Sequence, residues 1–355
     1  MENMKVDTWF FLNTQTSKQI LQPEFKMPRT HLGIFLEDDK ISYPIDISFS
    51  VYKNDCTVVR DKLIISCTEE VNEKFEVKYE DSYLQILYFC DDITEYPDKV
   101  ETTVKGQTGE FVYSQLCEYH NICGQITDFD GNPFPAVVCF YRHGFDGYIS
   151  VWSDINGNYS VKVPAGRYNA VFCDDNSYNK TTLENWCWNM HVDRDEQHDL
   201  KVGNGEVYSL TLWTVNGGLP LLMFYFRPMM LGDIVEKSLG DRKLLGWNFN
   251  LSKDCITVYI DGEKVKNYGL QRIFENSEKI SMPAYIVQTE KPKIKTGKHT
   301  AIVEFKTYLN TNEIAVEVKN VNHLIKTSAI DDFIICEAQA RVQFYYTDGV
   351  GTHIV

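Results

Sequence analysis

The sequence has no run of about eighteen apolar residues, which is the length that a helix needs to span a bilayer. Its most apolar stretch, Leu219–Leu231, is much shorter. The first sixteen residues, MENMKVDTWFFLNTQT, also lack the basic start, the apolar core and the small cleavage residues of a secretory signal. We therefore expect a protein without a membrane span and without a signal peptide of its own. We expect Leu219–Leu231 to be buried, either in the core of its domain or at an interface between domains.

Closely spaced cysteines are missing as well. The ten cysteines are scattered from Cys56 to Cys336, and no C-x-x-C pair occurs among them. Several lie inside apolar strand patterns, such as Val138-Cys139-Phe140. This distribution predicts small buried side chains rather than a disulfide framework or a set of metal ligands.

Catalytic motifs and excess positive charge are also absent. The sequence contains no G-x-S-x-G, no H-E-x-x-H and no phosphate-binding glycine loop, so we predict that the protein is not an enzyme and carries no cofactor. Its 35 Lys and Arg residues against 50 Asp and Glu residues give a formal charge of −15. Such a charge repels phosphate backbones and therefore predicts no nucleic-acid partner, whereas basic proteins and neutral sugars stay open as partners.

What the sequence does contain is a central series of short strands, between Gly124 and Tyr168. Residues 125–127 and 136–141 are β-rich runs separated by the turn sequence DFDGNP, and the runs at 148–152 and 159–163 are separated by DINGN. Asp-Gly and Asn-Gly supply the positive φ angles of tight turns, and proline cannot donate to a strand ladder. The pattern predicts antiparallel hairpins.

The same residues carry a family resemblance. Gly124, Asp130-Gly131-x-Pro133, Asp154-x-Asn156-Gly157-x-Tyr159 and Pro164-x-Gly166-x-Tyr168 stand at spacings that resemble the carboxypeptidase regulatory-like family. The resemblance covers about residues 119–213 and implies a transthyretin-like sandwich related to collagen-adhesin B repeats. Modules of this family accompany many unrelated proteins, so the resemblance implies a fold and no reaction.

Strand patterns continue on both sides of this module. Runs of alternating residues from Ile45 onward and from Cys255 onward predict further sandwiches, and Glu313–Val318 is one of the predicted strands. The stretch from Asp261-Gly262 to Gly297-Lys-His-Thr resembles bacterial immunoglobulin-like repeats, at about residues 250–320. The predicted fold is all-β, with tandem antiparallel sandwiches: 1–118 with an irregular docking segment at 1–44, a transthyretin-like 119–213, and an immunoglobulin-like 214–355.

The candidate contact surface is a group of aromatic and apolar residues in a polar stretch after the central strands. Its members are Tyr178, Trp186, Trp188 and Met190. Exposed rings at alternating positions suit the apolar face of a sugar or a protein hot spot. Packing of the same residues against their own sheet is the alternative, since tryptophan is highly buried on average.

Two other groups could bind metal ions. Asp128-x-Asp130-Gly131-Asn132 and Asp154-x-Asn156-Gly157-Asn158 each resemble half of a calcium loop, but hairpin turns need the same residues. The segment His191–Asp199 gathers two histidines and four carboxylates that could suit zinc, but it lacks a zinc-finger spacing, so we interpret it as a solvated acidic loop. We predict no metal site.

Function follows from the architecture rather than from a motif. The predicted function is that of a non-enzymatic structural or attachment protein, a bacteriophage tail, baseplate or capsid appendage, made in the host cytoplasm and displayed on the virion surface. The predicted partners are further copies of the chain and other structural proteins of an assembly, with a cell-surface glycan as another candidate. A bacterial surface adhesin or carbohydrate-binding module, and the accessory region of a hydrolase, are the alternatives.

Overall fold

A computed structural model describes most of the chain. The described residues are 5–15, 28–37, 43–80, 83–106, 109–143, 149–175, 182–215, 217–231, 235–239, 242–246, 250–310, 326–327 and 333–347. They form two compact units, which we describe separately. Unit 1 contains Met1–Ile122, Ser160–Gly166 and Val192–Glu196, and unit 2 contains Cys123–Tyr159, Arg167–His191 and Gln197–Val355.

The prediction of an all-β fold is confirmed. Strands make up the described regular structure, apart from one 3-10 turn at Lys253–Cys255. Most strand pairs are antiparallel, as the hairpin patterns indicate. The described part of the chain contains no helix of the length and hydrophobicity that a bilayer crossing requires.

Unit 1 begins with nine described strands that form two sheets. Its strands are β1 (Lys5–Phe11), β2 (His31–Glu37), β3 (Ile45–Lys53), β4 (Cys56–Ile65), β5 (Glu69–Val71), β6 (Phe75–Glu80), β7 (Tyr83–Phe89), β8 (Lys99–Gly106) and β9 (Gly109–Leu116), followed by the start of β10 (Tyr119–Thr127). One sheet has the order β1-β2-β7-β6-β5, and the other has the order β4-β3-β8-β9.

The core of unit 1 lies between these sheets. Strand β3 alternates buried and half-buried residues, so that Ile47, Phe49 and Val51 face inward. They join Ile34 from β2 and Val104 from β8 in one apolar cluster. Period-two patterning therefore determines which face of each strand is buried.

The prediction that residues 1–44 are irregular is wrong for two stretches of this segment. Lys5–Phe11 and His31–Glu37 are regular strands that pair with each other along their whole length. The last four residues of the first strand and the first six of the second are buried without a break, so they lack the alternation that usually marks a strand in sequence.

Unit 2 begins with the remainder of β10 and contains most of the later strands. These are β11 (Val137–Tyr141), β12 (Ile149–Trp152), β13 (Asn158–Pro164), β14 (Gly166–Asp174), β15 (Asn185–Val192), β16 (Glu196–Gln197), β17 (Leu200–Lys201), β18 (Gly205–Trp213), β19 (Leu221–Met230), β20 (Val235–Leu239), β21 (Arg242–Gly246), β22 (Ile256–Ile260), β23 (Glu263–Val265), β24 (Asn267–Asn276), β25 (Ile280–Glu290), β26 (Gly297–Asn310), β27 (Lys326–Thr327) and β28 (Phe333–Tyr346). Parts of β13, β14, β15 and β16 are assigned to unit 1.

The largest sheet of unit 2 joins strands from distant parts of the sequence. Its order is β12-β11-β14-β15-β28-β26-β22-β23, with β27 beside β28. Strand β28 pairs with β26 from Gly297 opposite Tyr346 to Asn310 opposite Phe333. On its other side it pairs in parallel with β15, where Trp186 lies opposite Ala340. Two segments predicted as separate sandwiches thus share one hydrogen-bonded sheet.

A second sheet of unit 2 has the order β18-β19-β25-β21-β20, with β24 on the other side of β25. Strand β19 contains most of the apolar stretch that was predicted to be buried. Its residues alternate, and Leu222, Phe224 and Phe226 are fully buried while their neighbours are half-buried. The stretch is therefore a sheet strand with one face in the core.

Two predictions from the sequence, the domain boundaries and one strand, are not tested by these observations. The boundaries at 118/119 and 213/214 are not tested by the two units, because one compact unit can hold more than one domain. The strand predicted at Glu313–Val318 lies outside the described residues.

Candidate contact surfaces

The tryptophans of the candidate contact surface lie on β15, which is an interior strand of the large sheet, between β14 and β28. Trp186 and Trp188 project from the same face, and their rings stack with centroids 4.6 Å apart and planes at 11°. Residues two apart on a strand share a face, which is why the two rings meet. Trp186 is buried and Trp188 is half-buried.

The stack continues across neighbouring strands. Phe172 of β14 stacks on Trp186 at 5.2 Å, and Tyr141 of β11 stacks on Phe172 at 5.0 Å. At the other end, Tyr208 of β18 presents its ring at nearly 90° to both tryptophans, and the guanidinium of Arg227 lies 4.8 Å from the Tyr208 centroid. Offset-stacked and edge-on rings are the favourable arrangements of aromatic pairs.

The predicted contact residues differ in how much of each side chain is left exposed. Both tryptophans direct a ring face at each other, and the second face of Trp186 is occupied by Phe172. Met190 is fully buried, and Tyr178 lies outside the described residues. Trp188 is the one of the three described members with partial exposure, so the contact surface, which stays a prediction, depends mainly on it.

A buried carboxyl group lies beneath the stack. The indole Nε1 of Trp186 donates to Glu206 Oε1 at 2.9 Å, and Glu206 is fully buried. Its Oε2 has no hydrogen-bond partner among the described residues. Burial, with the neighbouring Glu184 charge as a second cause, holds the pKa of Glu206 well above its ordinary value and favours the neutral acid. The sequence signal was a single charged residue near the start of strand β18, GEVYSLTLW.

The two half calcium loops form two closely similar turns. Asp128 Oδ1 accepts hydrogen bonds from the backbone N–H groups of Asp130 and Asn132, at 2.8 and 2.9 Å. Asp154 Oδ1 accepts the corresponding bonds from Asn156 and Asn158, at 2.9 and 2.8 Å. Each leading aspartate thus closes its own turn, which is the hairpin role proposed for these residues.

The carboxylates of the acidic segment that follows β15 accept hydrogen bonds from different partners. Asp195 accepts from the backbone N–H of Asn121 within unit 1. Asp199 accepts from Gln125 N–H within unit 2, where His198 is buried and its pKa is lowered well below the ordinary value by desolvation. Among the described residues, no three His, Cys, Asp or Glu side chains converge as a metal-binding group would.

A polar cavity on the large sheet was not predicted. It measures about 460 Å³, and its walls include Phe129, Asp254, Glu304, Lys306, Tyr308 and Glu337. Two of the three carboxylates are paired with lysines: Lys306 Nζ lies 2.7 Å from Glu337, and Lys201 Nζ lies 3.8 Å from Glu304. Tyr308 is 58% exposed.

The aromatic wall of this cavity is fixed by a close approach of the backbone. A Cβ added at Gly203 would lie 2.9 Å from the Phe129 ring and 2.3 Å from the carbonyl oxygen of Glu337, so only glycine fits there. The sequence could not show this cavity, because Phe129 and Glu337 meet only through the fold. Its one local signal was an aromatic residue inside a polar turn.

No protein-family model matches this sequence, and no curated protein matches it either. Three solved structures with some likeness are a major pilin subunit of Bacillus cereus, a backbone pilin of Streptococcus pyogenes and tandem immunoglobulin domains of titin. The two pilins are each 11% identical, with TM-scores of 0.19 and 0.17. The first match covers 63% of this chain and 69% of the pilin, and the second covers 64% of each.

The titin domains are 7% identical with a TM-score of 0.14, over 89% of this chain and 90% of theirs. TM-scores this low carry no argument about the function of this chain.

Proposed function

We propose that this protein is a structural or attachment component of an assembly, and specifically of a bacteriophage particle. The observation that supports it is the large sheet of unit 2, in which β28 is held on one side by β26 and on the other by β15. A load along these strands acts on many ladder hydrogen bonds at once, because those bonds run across the strand direction. A protein that holds other parts in position benefits from such a sheet.

Charge and cysteine state agree with this role. Cys56, Cys67 and Cys123 are exposed thiols without disulfide partners, which fits folding in a reducing cytoplasm before release. The net charge of −15 favours basic surfaces on partner proteins. Within this proposal, 119–213 is a carboxypeptidase regulatory-like module and 214–355 an immunoglobulin-like one, with the virion surface as the location.

Mass spectrometry of particles released by lysis of the source cells tests the proposal. We expect the protein in purified particles at a fixed ratio to the capsid protein. Recovery in the cell-wall fraction instead would favour the adhesin alternative. Recovery only as unassembled protein in the lysate would contradict both.

Carbohydrate binding is a second candidate, and the cavity beside Phe129 is the observation that favours it. Its size suits a small ligand, and Phe129 and Tyr308 provide rings for the apolar face of a sugar. Two of its carboxylates are already paired, Glu337 with Lys306 and Glu304 with the nearby Lys201. On a glycan array, Phe129→Ala with Tyr308→Ala should abolish any signal of the wild type. The matched control is Tyr79→Ala with Tyr268→Ala, which removes exposed rings elsewhere. No wild-type signal, or equal signals from both variants, would remove this candidate.

A further inference from the structure

Strand β24 is an edge strand with much of its surface exposed. In the part of the chain that the structure describes, it pairs with β25 alone. Five of its last six residues are exposed: Gln271, Arg272, Phe274, Glu275 and Asn276. These residues lie on both faces of the strand, since side chains alternate. The outer edge therefore offers backbone N–H and C=O groups together with accessible side chains.

Strand β24 has few of the features that usually prevent an edge strand from pairing with another chain, namely bulges, prolines and charged side chains. Its register with β25 is regular from Gly269 opposite Gln288 to Asn276 opposite Ser281, and the irregularity between Asn267 and Gly269 lies at its start. No proline interrupts residues 269–276, and their charged residues are one arginine and one glutamate. Local charge is thus balanced in a chain whose net charge is −15, so a second copy is not repelled here.

We infer that β24 pairs antiparallel with β24 of a second copy of this chain, about a two-fold axis through Ile273. The inference goes beyond the proposed particle role and does not depend on it. Opposed residues of an antiparallel pair lie on the same face of the sheet, and a two-fold axis perpendicular to the sheet keeps each side chain on its face. The two opposed residues are therefore an even number of positions apart, and at the axis a residue lies opposite the same residue of the second copy. Within 269–276, the two longest such registers place either Arg272 or Ile273 on the axis.

Charge decides between these two registers. An axis at Arg272 opposes two guanidinium groups, which destabilises a cross-strand pair. An axis at Ile273 opposes Ile273 to itself, Arg272 to Phe274 of the second copy, and Gln271 to Glu275 of the second copy. Each of these pairs is favourable: an apolar pair, a cation over a ring, and an amide beside a carboxylate. Within its own chain, the Arg272 guanidinium lies 5.3 Å from the Phe274 centroid and donates to Asn250 Oδ1, so the arginine is already directed along the strand toward a ring of this kind.

Cysteine cross-linking tests this register. Opposed residues on antiparallel strands have Cα atoms about 4.5–5.5 Å apart, within the range of about 4.4–6.8 Å that a disulfide spans. Under mild oxidation, Ile273→Cys should form a covalent dimer, whereas Arg272→Cys and the wild type with its native thiols should not. A dimer from Arg272→Cys, or none from Ile273→Cys, would overturn the proposal.

Sedimentation velocity over a concentration series gives an independent measure. The wild type should show a reversible dimer, and Ile273→Glu should weaken it about tenfold by opposing two carboxylates. Ile155→Glu makes the same change at an exposed turn residue and should leave the dimer unchanged. Gln271→Lys should strengthen it, because each new lysine faces Glu275 of the other copy. Near-UV circular dichroism verifies that each variant is folded, and a wild type that stays monomeric throughout would contradict the inference.

Discussion

Glu206 shows how one buried group links stability to pH. The folded protein keeps its proton because burial raises the pKa, whereas the unfolded chain releases it near the ordinary value of 4.5. The native state then binds more protons than the unfolded state, so the free energy of unfolding falls as the pH rises from 4.5 toward the folded pKa.

Replacing this carboxyl should therefore stabilise the protein. Glu206→Gln keeps the shape and an acceptor for Trp186 Nε1 but removes the ionisation, so we expect a gain of about 1 kcal/mol or more at pH 7. The gain should shrink as the pH is lowered toward 4.5. Urea unfolding at several pH values measures it, with Glu263→Gln, an exposed residue, as the control. A gain that does not change with pH would contradict the assignment.

The stacked tryptophans differ in burial, so they should differ in how much each contributes to the free energy of unfolding. Trp186→Ala opens a cavity between Phe172 and Trp188 and leaves Glu206 without its donor, so we expect a loss of about 3–5 kcal/mol. Trp188→Ala removes a half-buried ring and should cost roughly half as much. Thermal unfolding of both variants tests the order. A reversed order would show that the stack is not arranged as described.

At the scale of elements, the two aspartate-led turns use the same local chemistry in different surroundings. Gly131 and Gly157 have φ angles of 85° and 75°, which any other residue adopts with strain. A Cβ at Gly131 would meet nothing within 4 Å, but a Cβ at Gly157 would lie 2.2 Å from the carbonyl oxygen of Ile126.

Alanine substitutions should separate these two effects. Gly131→Ala should cost about 1–2 kcal/mol, from backbone strain alone. Gly157→Ala should cost about 3 kcal/mol or more, because β10 must also move away. Urea unfolding of the two variants makes the comparison, and equal losses would contradict the close approach at Ile126.

At the scale of the whole molecule, the shared sheet of unit 2 predicts that its strands unfold cooperatively. If β15 and β28 hold the two predicted segments together, 119–213 and 214–355 should unfold in one transition. Independent sandwiches would instead unfold separately.

Core substitutions in each segment test this. Phe140→Ala on β11 and Phe305→Ala on β26 remove fully or almost fully buried rings, at about 3–5 kcal/mol each. Either should lower the denaturant midpoint for both segments when hydrogen exchange is followed by mass spectrometry. A shift confined to the substituted segment would instead support the predicted boundary at 213/214.

The sequence by itself determined the all-β class and the two aspartate-led turns. Both depend on near neighbours: alternation is a property of successive residues, and Asp128 and Asp154 bond to residues within four positions. Strand β3 was foreseen for the same reason.

Only the tertiary structure decided what β15 does and where the cavity lies. Asn185 Nδ2 donates to the carbonyl of Gln339, which is 154 residues later, and Trp186 finds its acceptor on another strand. No local pattern encodes such a pairing, because it requires closing a very long loop and depends on which faces remain to be buried. The sequence therefore left two interpretations of the tryptophans, an exposed group or packing against their own sheet, and the fold places both on an interior strand with Trp186 buried.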